Sequence, residues 1–340
     1  MPIPFILAGL GVAAGAVGVG GHIDAKKTNE EAQRISIKAQ NLYDEAKSSL
    51  EKSQDKTENA LLNLGYLKKH VLETSIKDFF KVYDRIKNIQ LSESKGLNEL
   101  SDFIISNKET IELRRMSDIY ESTFSSGVTG AAAGAVIALA ASGSLPVVTG
   151  VLSTAGTALA IGEFGMATSL AGSALSFGMA MTPLSAIAVP AILFTGISSS
   201  IKADENLEKA NTMLSEAQVA VEKMKTSETL CSGITEQARM FGNLLSKLNR
   251  MFSKCTILLD NMTCEKMRLY EGKRINANDF TQEELNLIAV TRSLAGAVKA
   301  VIDISILNED GSISQKSKDL YDNTQKKLPV FNNVVNQLSN

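Results

Sequence analysis

A chain of 340 residues has room for one elongated domain or two compact ones. Its 35 basic and 37 acidic residues leave a net charge of −2, and neither flank of the molecule is basic enough to partner a phosphate backbone, which argues against nucleic acid. The charges avoid the middle: Ser122 to Ile201 is 80 consecutive residues with a single formal charge, Glu163. Three cysteines, Cys231, Cys255 and Cys264, share no metal-ligand spacing and read as small buried hydrophobes. With only two histidines, His22 and His70, far apart in sequence, there is little from which to build a catalytic triad or a metal site. No catalytic residue, cofactor site or metal ligand is therefore expected, and the chain reads as a non-enzyme.

Residues 1–23 form an apolar, glycine-rich N-terminal segment, long enough to span a membrane once. Positive charge follows its apolar stretch, at Lys26 and Lys27, and does not precede it, so it does not read as a cleaved signal. That bias would leave the next domain in the cytoplasm. Gly9, Gly11 and Gly15 superficially resemble a dinucleotide-binding loop, but no strand precedes them and no crossover unit follows, and a glycine-spaced membrane or packing helix is the expectation.

Residues 24–121 read as the first half of a helical rod. Thr28 and Glu31 have capping-box spacing. A stripe then recurs three and four residues apart at Ala32, Ile35, Ala39, Leu42, Ala46, Ser49 and Ser53, resuming through Thr57, Ala60, Leu64, Leu67 and Val71. This is a coiled-coil seam, expected to run to Ile89 with Phe79, Phe80 and Tyr83 widening its apolar face. A break at Ser92 to Gly96 and a shorter helix over Leu97 to Tyr120 complete this half.

Residues 122–201 form the hydrophobic region, long enough for about two to four crossings. Breakers at Ser142–Pro146, Gly162–Glu163 and Thr182–Pro183 divide it into helical pieces near Gly127–Ala141, Val147–Ile161, Phe164–Met181 and Leu184–Ser200. Of the 74 residues from Gly127 to Ser200, 22 are Leu, Ile, Phe or Val, so insertion into lipid is marginal. Small residues recur at the spacing that lets helix backbones approach: Gly130 with Gly134, Ala131 with Ala135, Gly172 with Ser176, Ala174 with Gly178. Gly127, Gly130, Gly134, Gly162, Glu163, Gly165, Gly172 and Gly178 are the candidate membrane-inserting or packing residues. Glu163, at the midpoint, suits the turn of a hairpin, where its charge opposes passage into lipid unless it is protonated. Arg114 and Arg115 before the region and Lys202 after it are the flanking basic residues expected if both ends stay on one face. The competing reading is the buried centre of a soluble bundle.

Residues 202–340 read as the second half of the rod. The seam returns at Leu207, Ala210, Leu214, Ala217, Val221 and Met224 and continues through Ile234, Ala238, Phe241, Leu245, Leu248, Phe252 and Cys255. Its length nearly equals that of the first seam, so antiparallel pairing of the two is the economical expectation. A loop over Glu271 to Asp279, a helix opened by Thr281 and Glu284 and reaching Leu307, a turn at Asn308 to Ser312 and a last helix over Ser314 to Leu338, bent at Pro329, follow. No alternating strand pattern is evident. The fold class is all-α: an antiparallel coiled-coil bundle with a central Gly/Ala-rich hydrophobic hairpin.

Long helices flanking such a hairpin resemble the α-helical pore-forming toxins of the cytolysin A and haemolysin BL group and, more loosely, the apolipoprotein L proteins. The chain also resembles uncharacterised bacterial proteins with a glycine-rich apolar N-terminus. The toxin resemblance implies a hydrophobic tongue that is packed in the soluble form and released into membranes. It rests on architecture and brings no motif residue with it, and the uncleaved N-terminal segment departs from the secreted toxins. Three functions follow as expectations: a membrane-active protein whose central region inserts into or perforates a bilayer, a membrane-anchored coiled-coil scaffold or sensor, and a soluble coiled-coil interaction protein. The expected partners are a lipid membrane and a second copy or another helical protein, and the expected place is the cytoplasm or a bacterial inner membrane, with secretion left open.

Overall fold

The computed structural model describes residues 23–87, 98–124, 136–137, 139–143, 159–161, 166–168, 203–269, 275–308 and 311–338, of which about 90% are helical. The all-α class holds. In chain order these residues form α1 (Ile23–Val71), a π-helical turn (Leu72–Ile76), α2 (Lys77–Tyr83), β1 (Ile86–Lys87), a 3-10 turn (Asn98–Phe103) and α3 (Asn107–Phe124). After a short helical piece within 136–142 come β2 (Leu159–Ile161), β3 (Met166–Thr168), α4 (Ala203–Leu269), β4 (Ile275–Asn276), α5 (Gln282–Asp303) and α6 (Gln315–Gln337). The chain divides into two compact units, one of Met1–Lys47 with Val189–Lys223, the other of Ser48–Ala188 with Met224–Asn340.

In the first unit the described parts of α1 and α4 bury alanines: Ala32 and Ala39 on one helix, Ala210, Ala217 and Ala220 on the other. Alanine at seven-residue spacing lets two helices approach closely and costs no side-chain entropy. Asn29 and Asn206, joined by a 2.9 Å hydrogen bond, add a polar pair, and such pairs fix register at some cost in stability.

The second unit shows how the two seams run. Ser49 donates to Glu228 at 2.8 Å, Thr57 and Thr235 hydroxyls lie 2.9 Å apart, Ser75 and Ser253 hydroxyls 3.1 Å apart, and Arg85 pairs with Asp260. As the number rises on one helix it rises on the other, so the segments are parallel. This corrects the antiparallel expectation. An apolar stripe reads the same for either direction; the small polar residues in the stripe meet only in the parallel register.

The core of this unit is aromatic and aliphatic. Phe79 packs on Phe252 with ring centroids 5.5 Å apart, Phe103 on Phe331 at 5.7 Å and Phe241 against Tyr321 edge-on at 5.8 Å. Through it runs α5, opened by a complete Thr281–Glu284 capping box, as its sequence announces, and closed at Asp303, four residues before Leu307. Gly296 lets α5 approach the Phe103 carbonyl, which a Cβ would meet at 1.8 Å. The turn after α5 is also as expected: Gly311 has φ of 79°, Asn308 N donates to Ser312 O at 2.8 Å, and Leu307 bridges Ile313. Pro329 lies inside α6.

Three local expectations change. Helix α1 begins at Ile23, so Thr28 sits within it, the Thr-x-x-Glu spacing being also that of neighbours on one helical face. β2 and β3 pair antiparallel, Leu159 with Thr168 and Ile161 with Met166, where helical pieces were expected; Ile and Thr are β-branched and favour strands. β1 and β4 also pair, in parallel, over two residues. Cys264 is exposed beside Arg85, unlike the buried Cys231 and Cys255, the latter thiol pushed up to about 12 by burial.

Candidate functional site

Of the residues singled out from sequence, Gly127, Gly130, Gly134, Gly162, Glu163, Gly165, Gly172, Gly178 and Lys202 lie outside the described residues. Arg114 is described and is engaged: its guanidinium makes two bonds of 2.8 and 2.6 Å to the Asp84 carboxylate and lies 4.4 Å from the Phe80 ring centroid. The paired carboxylate holds its pKa above the ordinary value. Arg115 is exposed.

Within the hydrophobic region, the second unit holds residues 136–143 by their backbone. Gly65 of α1 provides the floor, since a Cβ at that position would stand 2.1 Å from the Val136 carbonyl oxygen and 2.6 Å from Val136 Cγ1. One helical turn on, Lys68 is completely buried. Its Nζ donates to the carbonyls of Leu139 and Ile302 at 3.1 Å and of Ile304 at 3.4 Å. Next along, the Ala141 carbonyl accepts from the Ile306 and Leu307 amides at 2.9 and 3.2 Å and from Ser305 Oγ at 3.1 Å. Gly143 closes the segment with φ of 74°, and a Cβ there would lie 2.0 Å from the Asp303 carbonyl oxygen.

The chemistry of this grip follows from helix ends. The last carbonyls of a helix have no partner within it and carry the negative end of its dipole. Lys68 sits where the short helical piece and α5 both end, so one side chain satisfies acceptors from two helices. Burial nonetheless pushes the Lys68 amine down to about 7, with Asp303 opposing the shift. Asp303 in turn pairs with Lys299, which also reaches Glu112 of α3 at 3.1 Å, so α3 and the end of α5 meet in one charged cluster.

In the sequence Lys68 is one of many charges on the first half of the rod and is not among the candidate residues. A signal was present: Lys68 falls four residues after Leu64 and three before Val71, inside the apolar stripe. The glycine at 65, one turn earlier on the same helix, was the second hint.

Compared with known proteins, the chain matches no family model, no curated protein and no solved structure.

Proposed function

We propose that the protein is a membrane-active helical protein whose central hydrophobic region, residues 122–201, inserts into or perforates a lipid bilayer. The observation that carries this reading is the region itself: 80 residues with one charge, too apolar to be left in water and too poor in large aliphatic side chains to be an obligate span. In support, residues 136–143 of the region are held by hydrogen bonds to their backbone, at the carbonyls of Leu139 and Ala141, together with the burial of Val136, Leu139 and Ala140. The partner is a bilayer, with assembly of several copies as the route to a pore, and no chemistry is catalysed.

A second reading, a membrane-anchored helical scaffold or sensor, is favoured by one observation. The second unit keeps its own apolar helix, α5, inside its core with 83% of its most apolar window buried, as a folded module beside an anchor would. Fractionation and leakage separate the readings. A carbonate-extractable protein that releases dye from anionic-lipid vesicles supports the first; a carbonate-resistant, non-leaking one supports the second; an extractable, inert one refutes both.

A further inference from the structure

The grip on residues 136–143 has the construction of a catch. We propose that this segment is a detachable latch on the second unit, and that its release from Gly65, Lys68 and the turn at 303–307, with the rest of the unit still folded, is the step that frees the hydrophobic region. The inference rests on the membrane-active reading for its purpose, but the detachment is a property of the second unit and is testable without lipid.

Three features of the site support it. First, the polar contacts that would break are hydrogen bonds to the carbonyls of Leu139 and Ala141, from one flexible side chain, one hydroxyl and two amides, and the apolar burial given up with them is that of Val136, Leu139 and Ala140. Secondly, the helix that bears Gly65 and Lys68 is anchored independently, by Thr57 against Thr235 and Ser75 against Ser253, so the segment can leave without carrying α1 away. Thirdly, opening returns a wholly buried amine to water, and the solvation regained offsets the hydrogen bonds lost. That offset brings the open and closed states closer in free energy, as a two-state element requires, whereas the Phe79–Phe252 core has no such compensation.

Hydrogen exchange in the full-length protein tests the detachment. Gly65→Ala places a Cβ 2.1 Å from the Val136 carbonyl and Lys68→Met removes the donor. Each is expected to speed exchange at 139–143 and at the Ile306 and Leu307 amides at least tenfold, leaving the amides of 241–252 unchanged. Gly242→Ala on α4, where a Cβ meets nothing within 4 Å, is the control and should speed neither. Unchanged exchange at Ile306 and Leu307 in both variants overturns the latch, as does acceleration that spreads equally to 241–252, which would make 136–143 part of one cooperative core. Dye release from anionic-lipid vesicles then tests the purpose. Faster release by both variants than by the wild type supports the latch as the gate. Equal release despite faster exchange overturns the gating. No release by any of them overturns the membrane-active reading while the exchange result still decides the latch.

Discussion

Two stretches of the second unit look alike by hydropathy and are handled differently. α5 is apolar enough over its length to cross a membrane, yet it is enclosed. Its two cations are partnered inside the fold, Arg292 by the Ile105 carbonyl at 2.7 Å and Lys299 by Glu112 and Asp303, and its remaining faces meet aliphatic and aromatic side chains. Residues 136–143 bring no charge of their own and are met by a buried lysine belonging to another helix. The difference teaches that apolar composition does not decide what a helix does. What decides is how much of its surface is packed and which partners meet its polar groups.

The sharpest way to break this comparison is to remove the donor. Lys68→Met leaves the carbonyls of Leu139, Ile302 and Ile304 without their buried donor and is expected to disfavour the closed segment by about 1 to 3 kcal/mol, the cost of unsatisfied buried acceptors. Exchange at the Ile306 and Leu307 amides unchanged from the wild type would show that water replaces the lysine at no cost.

The wild-type protein should also show the lysine in its pH dependence. The Lys68 pKa in the closed fold is about 7, below its ordinary value of 10.5, so between these values the unfolded chain holds the extra proton. Stability should therefore rise with pH across that window and be independent of this group below about 7, where both states are protonated. In Lys68→Met this component of the pH profile is expected to vanish; an identical profile in both proteins would assign it elsewhere.

Gly296→Ala probes the enclosed helix. The added Cβ meets the Phe103 carbonyl oxygen at 1.8 Å, and overpacking of this kind costs about 1 to 3 kcal/mol, visible as a lowered melting temperature with α5 still helical. Smaller again is Thr281→Ala, which removes the side-chain half of the α5 capping box and should cost about 1 kcal/mol in chemical denaturation. Gly242→Ala has the opposite sign: with open space around its Cβ, it should stabilise α4 by about 0.5 to 1 kcal/mol. Thermal unfolding of these three variants orders them, and a destabilising Gly242→Ala would mean that α4 is covered on that face.

Helix content, the two long seams, the Thr281 capping box and the Asn308–Ser312 turn follow from the sequence alone, because each depends on contacts within a few residues of chain. Ala32 and Ala39, or Ala210 and Ala217, declare their buried face through spacing. Orientation does not declare itself in this way: the pairing of Thr57 with Thr235 and Ser75 with Ser253, hence the parallel course of the helices in the second unit, depends on which distant residues meet. The same holds for the latch. Lys68 is separated from Leu139 by 71 positions and from Ile302 by 234, and Gly65 differs from Gly242 in no local respect. One floor is filled by Val136 and the other left open only because the tertiary structure brings a helix end to the first and nothing to the second.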